Sequence, residues 1–219
     1  MVKDSRSKQN RTRARIAAIA ARLMAEDGID DFALAKRKAS RQVGAVSAQS
    51  LPGNDEIEVE LRAYQSLYQG REQRERIQYL RKHALEIMQM LESFRPYLSG
   101  AVLKGTAGRY SEIDLQLFTD DSKAVELFLL NHGISYDTVD LRRFTGDHAR
   151  AVSVLRYDWA GVPVNLAVHT LKDERGTLKT TPLGQPIERA GLVAVRQLVA
   201  ESEAIQGMEF ASPSKSDQR

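Results

Sequence analysis

Apolar residues recur at helical spacing through the first part of the chain and alternate along strands in the second. Over residues 11–26, Ile16, Ile19, Ala20, Leu23 and Met24 fall on one face, and Asp27-Gly28 ends the helix they predict. Residues 1–9 are polar and charged and read as disordered. Asp30 or Asp31 caps a second helix to about Val43. Leu51-Pro52-Gly53-Asn54 is a break, after which Asn54 or Asp55 caps a third helix to about Tyr68. Gly70 punctuates. A long helix over about 72–93 then carries Ile77, Leu80, Ala84, Ile87, Met88 and Leu91 on one stripe.

Beyond Pro96 and Gly100 the period changes. Residues 102–104 read as a short apolar strand, followed by a Gly-containing turn and a second strand over 112–117. Residues 119–122 lead into a helix to about Asn131, stopped by Gly133; residues 134–141 read as a strand and 142–150 as a polar loop. Two β-branched-rich runs, 151–159 and 162–169, flank Ala160-Gly161 and predict a β-hairpin. A loop rich in Thr, Lys and Gly covers 172–184, a last helix starts at Gln185-Pro186 and runs to about Ala204, and 207–219 reads as a disordered tail. The expectation is an α+β protein. Residues 1–70 form a helical appendage, and 71–206 form a domain with a mixed sheet of four or five strands and flanking helices.

Composition narrows the class. Apolar content of 42% and charged content of 28% are ordinary for a soluble globular chain. No run of apolar residues is long enough for a membrane span, and the N-terminus lacks the apolar core of a secretory signal. The absence of Cys excludes disulfides, Cys-ligated zinc and thiol nucleophiles, and agrees with a cytoplasmic location. His83, His132, His148 and His169 lie far apart without metal-ligand spacing, and His169 reads as a surface histidine. Charge is uneven. Residues 1–50 hold eleven Lys and Arg against five Asp and Glu, a net of +6; the whole chain is +3, which leaves about −3 for the rest. A basic arm of this kind suits a phosphate backbone, with Arg11, Arg15, Lys36, Arg37, Lys38 and Arg41 as candidate nucleic-acid contacts. A solvated helix face is the plainer reading of the same residues.

The candidate chemistry lies at residues 102–117. Side chains alternate along a strand, so Glu112 and Asp114 point one way while Ile113, Leu115 and Leu117 point into a core. Paired carboxylates supply hard oxygen ligands for Mg²⁺, and a nearby turn supplies N–H groups for phosphate oxygens. Arg109 in that turn has a fork that matches phosphate and reads equally as a solvated loop residue, and Gln116, on the acids' own face, reads as a plain edge contact ahead of one to a base or ribose.

This stretch resembles the signature of the nucleotidyltransferase superfamily typified by DNA polymerase beta: a hydrophobic residue, Gly-Ser or Gly-Gly, a spacer, and an acid-x-acid strand. Leu103-Lys104-Gly105-Thr106 stands for the first part, with Thr for Ser, and Glu112-Ile113-Asp114 for the second, across a shorter spacer. The resemblance implies a Mg²⁺-dependent enzyme that moves a nucleoside monophosphate from a nucleoside triphosphate to a hydroxyl. Glu112 and Asp114 would hold the metal, and Gly105, Thr106, Arg109 and Ser111 the phosphates. The family's third acid would fall at Asn165, a neutral ligand on the acceptor side; Asp158 on the partner strand is a possible substitute. Three readings stand open: an active enzyme with an altered site, a one-metal variant, and a nucleotide- or nucleic-acid-binding relative without catalysis. RNA, protein and small molecules are all candidate acceptors, and the sequence leaves the oligomeric state open.

Overall fold

The computed structural model describes residues 2–29, 31–44, 51–68, 70–145, 148–179 and 186–211, with the side chains of 2–6, 145 and 205–211 excepted. Asp30, residues 180–185 and residues 212–219 therefore carry expectations that lie outside the described residues. The chain is α+β, with seven helices and a seven-stranded mixed sheet among the described residues. It forms two compact units: residues 1–76 with 106–111, and residues 77–105 with 112–219.

The first unit is helical. Helix α1 (Val2–Asp27) packs against α2 (Phe32–Val43) and α3 (Asn54–Tyr68). Their shared core holds the expected stripe, Ile16, Ala20, Leu23 and Met24, with Ala35 and Ala39 from α2 and Ile57 and Leu61 from α3. The alanines let α2 lie close to α1, since little side chain separates the backbones. The Asp31 carboxylate accepts from the Ala33 N–H at 2.8 Å and caps α2, and Gly44 ends it with φ +70°. Residues 2–9 belong to α1, where polarity alone suggests disorder; α1 continues the periodic segment that follows.

Helix α4 (Gly70–Met90) leads from the first unit into the second, where Leu80, Ala84, Ile87 and Met88 are fully buried. Strand β1 (Tyr97–Ser99), helix α5 (Gly100–Lys104), β2 (Ile113–Phe118), α6 (Ser122–Asn131), β3 (Asp137–Thr145), β4 (His148–Trp159), β5 (Val162–His169), β6 (Leu178–Lys179), β7 (Arg189–Gly191) and α7 (Leu192–Ala211) follow. The strand order is β6-β3-β4-β5-β2-β1-β7. All pairs are antiparallel except β2 with β5. That parallel pair sets Asp114 directly beside Asn165.

Several expectations change here. Residues 102–104 are helical, not a strand. Gly100 turns the chain out of β1 at φ +71°, and Arg81 donates to the carbonyls of Val102 (3.1 Å) and Leu103 (3.0 Å), supplying partners the short helix lacks. The polar run 142–150 is mostly strand, because β3 and β4 pair through Thr145 and His148 and satisfy each other's backbone. The sheet has seven strands rather than four or five: β6 and β7 are edge segments too short to show a period. Residues 189–191 pair with β1, so the last helix starts at Leu192 rather than near Gln185, and it runs on to Ala211, over the first residues of the expected tail.

Candidate active site

The acids meet where β2 and β5 run side by side. Asp114 is half-buried on β2, and Glu112 is exposed just before that strand. Asn165, in register with Asp114, donates its amide to Glu112 Oε2 at 2.5 Å and to Asp114 Oδ1 at 2.9 Å. Two carboxylates and one amide thus converge, as the alternation predicts. Ile113, Leu115 and Leu117 are buried on the other face.

The turn that faces the acids is Ser99-Gly100, not Gly105-Thr106. A Cβ at Gly100 would stand 2.5 Å from Asp114 Oδ2, and φ there is +71°, so glycine is required twice over. Ser99, across from Asp114 on β1, donates its hydroxyl to the Asp114 carbonyl at 3.2 Å.

The other predicted phosphate ligands have local duties. Gly105, at φ +75°, ends α5 beside Arg81. Thr106 is buried and Gln65 donates to its carbonyl at 3.1 Å. Ser111 is buried, and its hydroxyl accepts from the Gly108 N–H at 2.8 Å. Arg109 lies over the Tyr110 ring at 5.6 Å, and its carbonyl accepts from Arg76 at 3.3 Å. Residues 106–111 cluster with the first unit, whereas Glu112, Asp114 and Asn165 belong to the second.

A pocket of about 190 Å³ opens on the face of the sheet that bears Asp114 and Asn165. Successive strands contribute Ser99, Gln116, Ala167, Val154 and Arg156, and Arg143 and His169 also line it. Gln116 is 4% exposed, and its Oε1 has no hydrogen-bond partner. Among the described residues neither Arg143 nor Arg156 forms an ion pair. Burial disfavours the Arg143 charge, and the Asp114 carboxylate acts in the opposite direction. His169 is buried at 4% exposure rather than on the surface, stacked on Phe118 at 5.4 Å. Burial pushes its pKa down to about 4; the Asp173 carboxylate opposes this, and the positive charges of Arg143 and Arg189 add to it. Asp158 is exposed and pairs with Pro163, one step beyond Asn165 along β5, outside the pocket lining.

Of the basic candidates, Arg11, Arg15, Arg37, Lys38 and Arg41 are exposed. Lys36 is half-buried and donates to Asn54 Oδ1 at 2.6 Å, and burial lowers its pKa. It serves the α2–α3 junction rather than a free cationic face.

Sequence reasoning missed Ser99, Gly100, Arg143 and Arg156. The Ser-Gly pair is itself a turn signal. The arginines were hidden because strand pairing, not local pattern, places them on the acid-bearing face. No protein-family model, curated protein or solved structure matches the chain.

The donor set fits a hard cation. Among the described residues no cluster of three or more His, Cys, Asp and Glu forms a metal cage. Mg²⁺, however, commonly uses one or two carboxylates and takes its remaining ligands from water and phosphate.

Proposed function

We propose that the chain is a nucleotidyltransferase-like enzyme that binds a nucleoside triphosphate with Mg²⁺ and transfers the nucleoside monophosphate to a hydroxyl acceptor. The observation that carries this reading is the convergence of Glu112, Asp114 and Asn165 on one edge of a parallel strand pair. Glu112 and Asp114 would hold the cation, which when bound neutralises charge on the transferring phosphate. Gly100 lets the Ser99-Gly100 backbone approach the acids without a side chain in the way. An amide rotation would turn the Asn165 oxygen, in place of its nitrogen, toward the acids' ligand. The acceptor oxygen bonds to the α-phosphorus, the bond from that phosphorus to the β-phosphate oxygen breaks, pyrophosphate leaves, and the acceptor proton goes to solvent. Phosphoryl transfer depends mainly on positioning and electrostatics, so a neutral group at Asn165 lowers the rate more than it lowers nucleotide binding.

A second reading has its own support. Asn165 bridges the two acids with no positive charge of its own, and the exposed cations Arg11, Arg15, Arg37, Lys38 and Arg41 lie on α1 and α2. A relative without catalysis, acting through those helices on nucleic acid, accounts for both. Calorimetry with ATP and GTP, with and without Mg²⁺, on wild type and Asp114→Ala separates the readings, followed by transfer of radiolabelled nucleotide to bulk RNA. Binding that needs both Mg²⁺ and Asp114 is expected. Retained transfer in Asp114→Ala sinks the assignment of this site.

A further inference from the structure

The pocket beside the acids has features that the cation reading does not use. At about 190 Å³ it is smaller than the roughly 300–1,000 Å³ of pockets that enclose a drug-sized ligand. It therefore suits one ring-sized polar group and not a polymer segment or a whole nucleoside triphosphate.

Its chemistry runs in sequence along the sheet. Rungs two residues apart are separated by about 7 Å. Asp114, Asn165 and Arg156 share one rung, and Gln116, Ala167 and Val154 share the next. Gln116 Oε1 is buried and unpartnered, a state that costs free energy unless a donor arrives. Ala167 and Val154 give the floor a small apolar area beside that acceptor, which suits the C–H face of a saturated ring. Arg156 and Arg143 complete the lining, neither in an ion pair among the described residues, and guanidinium forks match phosphate and carboxylate. The half-buried Arg143 charge has Asp114 as its stabilising carboxylate, and a bound anion adds a second.

We infer that this pocket binds a small hydroxylated anion, a sugar phosphate or sugar acid, with Arg143 and Arg156 on the anionic group and Gln116 Oε1 accepting from a hydroxyl. This rests on the nucleotidyltransferase reading only for the ligand's role: there, a hydroxyl at the Asp114–Asn165 end is the acceptor, and the acceptor is a small molecule. The binding itself needs neither Mg²⁺ nor nucleotide.

The test uses the full chain without either. Ribose 5-phosphate, glucose 6-phosphate and glucuronate are titrated by calorimetry and ligand-observed NMR, with ribose and inorganic phosphate alongside. At least one hydroxylated anion is expected to bind at least tenfold more tightly than ribose or phosphate alone. The first two probes against glucuronate tell phosphate from carboxylate. Gln116→Met and Arg143→Met should each weaken binding by about tenfold. Arg156→Met, at an exposed position, reads the same contact without risk to the fold. Four results overturn the inference: no binding by any of the three, equal binding of inorganic phosphate, binding indifferent to all three variants, or competitive displacement by ATP without Mg²⁺, which makes the pocket a nucleotide site. Loss of the nucleotidyltransferase reading shows separately, as absent Mg²⁺-dependent ATP and GTP binding while the sugar anion still binds.

Discussion

Gly100 and Asn165 are the residues on which the site's geometry turns. Gly100 combines φ +71° with the Asp114 carboxylate where a Cβ would sit, whereas Gly133, at φ +69°, has nothing within 4 Å. Alanine at either position costs about 1–2 kcal/mol from left-handed backbone alone. Gly100→Ala must also displace Asp114, so its loss in chemical denaturation should exceed that of Gly133→Ala, and its Mg²⁺-dependent ATP binding should fall where Gly133→Ala leaves it intact. Equal losses with unchanged binding would show that the close approach does not matter. Asn165→Asp replaces a bridging donor with a third carboxylate. Without cations the variant should lose about 1–3 kcal/mol, since two acids lose a hydrogen-bond donor and gain a like charge. Mg²⁺ should restore more stability to it than to wild type in thermal melts. A melt indifferent to Mg²⁺ argues against a cation at these oxygens.

Elements differ in how far the sequence discloses them. The β4–β5 hairpin is plain in its alternation, and Ala160 (φ +50°) and Gly161 (φ +77°) have the two positive φ angles of a type I′ turn. Alanine is a poor residue there. Ala160→Asn creates the Asn-Gly pair this turn prefers and should raise stability by about 1 kcal/mol in urea denaturation, with no effect on ligand binding. Helix α2 is equally legible, because Asp31 and Gly44 act locally; at the start of α3 the Asn54 side chain instead accepts from Lys36 on α2, and Glu56 accepts from the Gly53 N–H. β1, α5 and β7 are not legible. Tyr97–Ser99 is too short for a period, and α5 takes its carbonyl partners from Arg81 on α4. Alternation along β2 and β5 therefore places Asp114 and Asn165 on one face from sequence, whereas the approach of the Ser99-Gly100 turn to Asp114 depends on a pairing that no local pattern shows. Arg143 shows the same limit: its run is polar and aperiodic, and only pairing with β4 makes it a strand.

Across the whole molecule, acid should weaken the two units in different pH ranges. In the sheet unit, His169 is buried with its pKa pushed down to about 4, against 6.5 in a solvated chain. Between those values the unfolded chain binds a proton that the folded one refuses, so stability is full above about pH 6.5 and falls as the pH drops, by about 3 kcal/mol at about pH 4. In the helical unit, Glu56 is held below its usual range first by its hydrogen bond with Arg13, and its contribution is lost only as the pH falls below the ordinary carboxylate range. Trp159, the sole tryptophan, lies on β4 of the sheet unit and makes that unit separately observable. Melts followed by Trp159 fluorescence should shift downward from about pH 7 to about pH 5, a range set by an unperturbed histidine. Far-UV circular dichroism, which reads the helices of both units, should shift less. His169→Gln keeps a polar side chain but removes the titration, so its fluorescence melts should vary less over that range. A slope unchanged by His169→Gln would place the acid sensitivity elsewhere and leave the buried imidazole without a part in it.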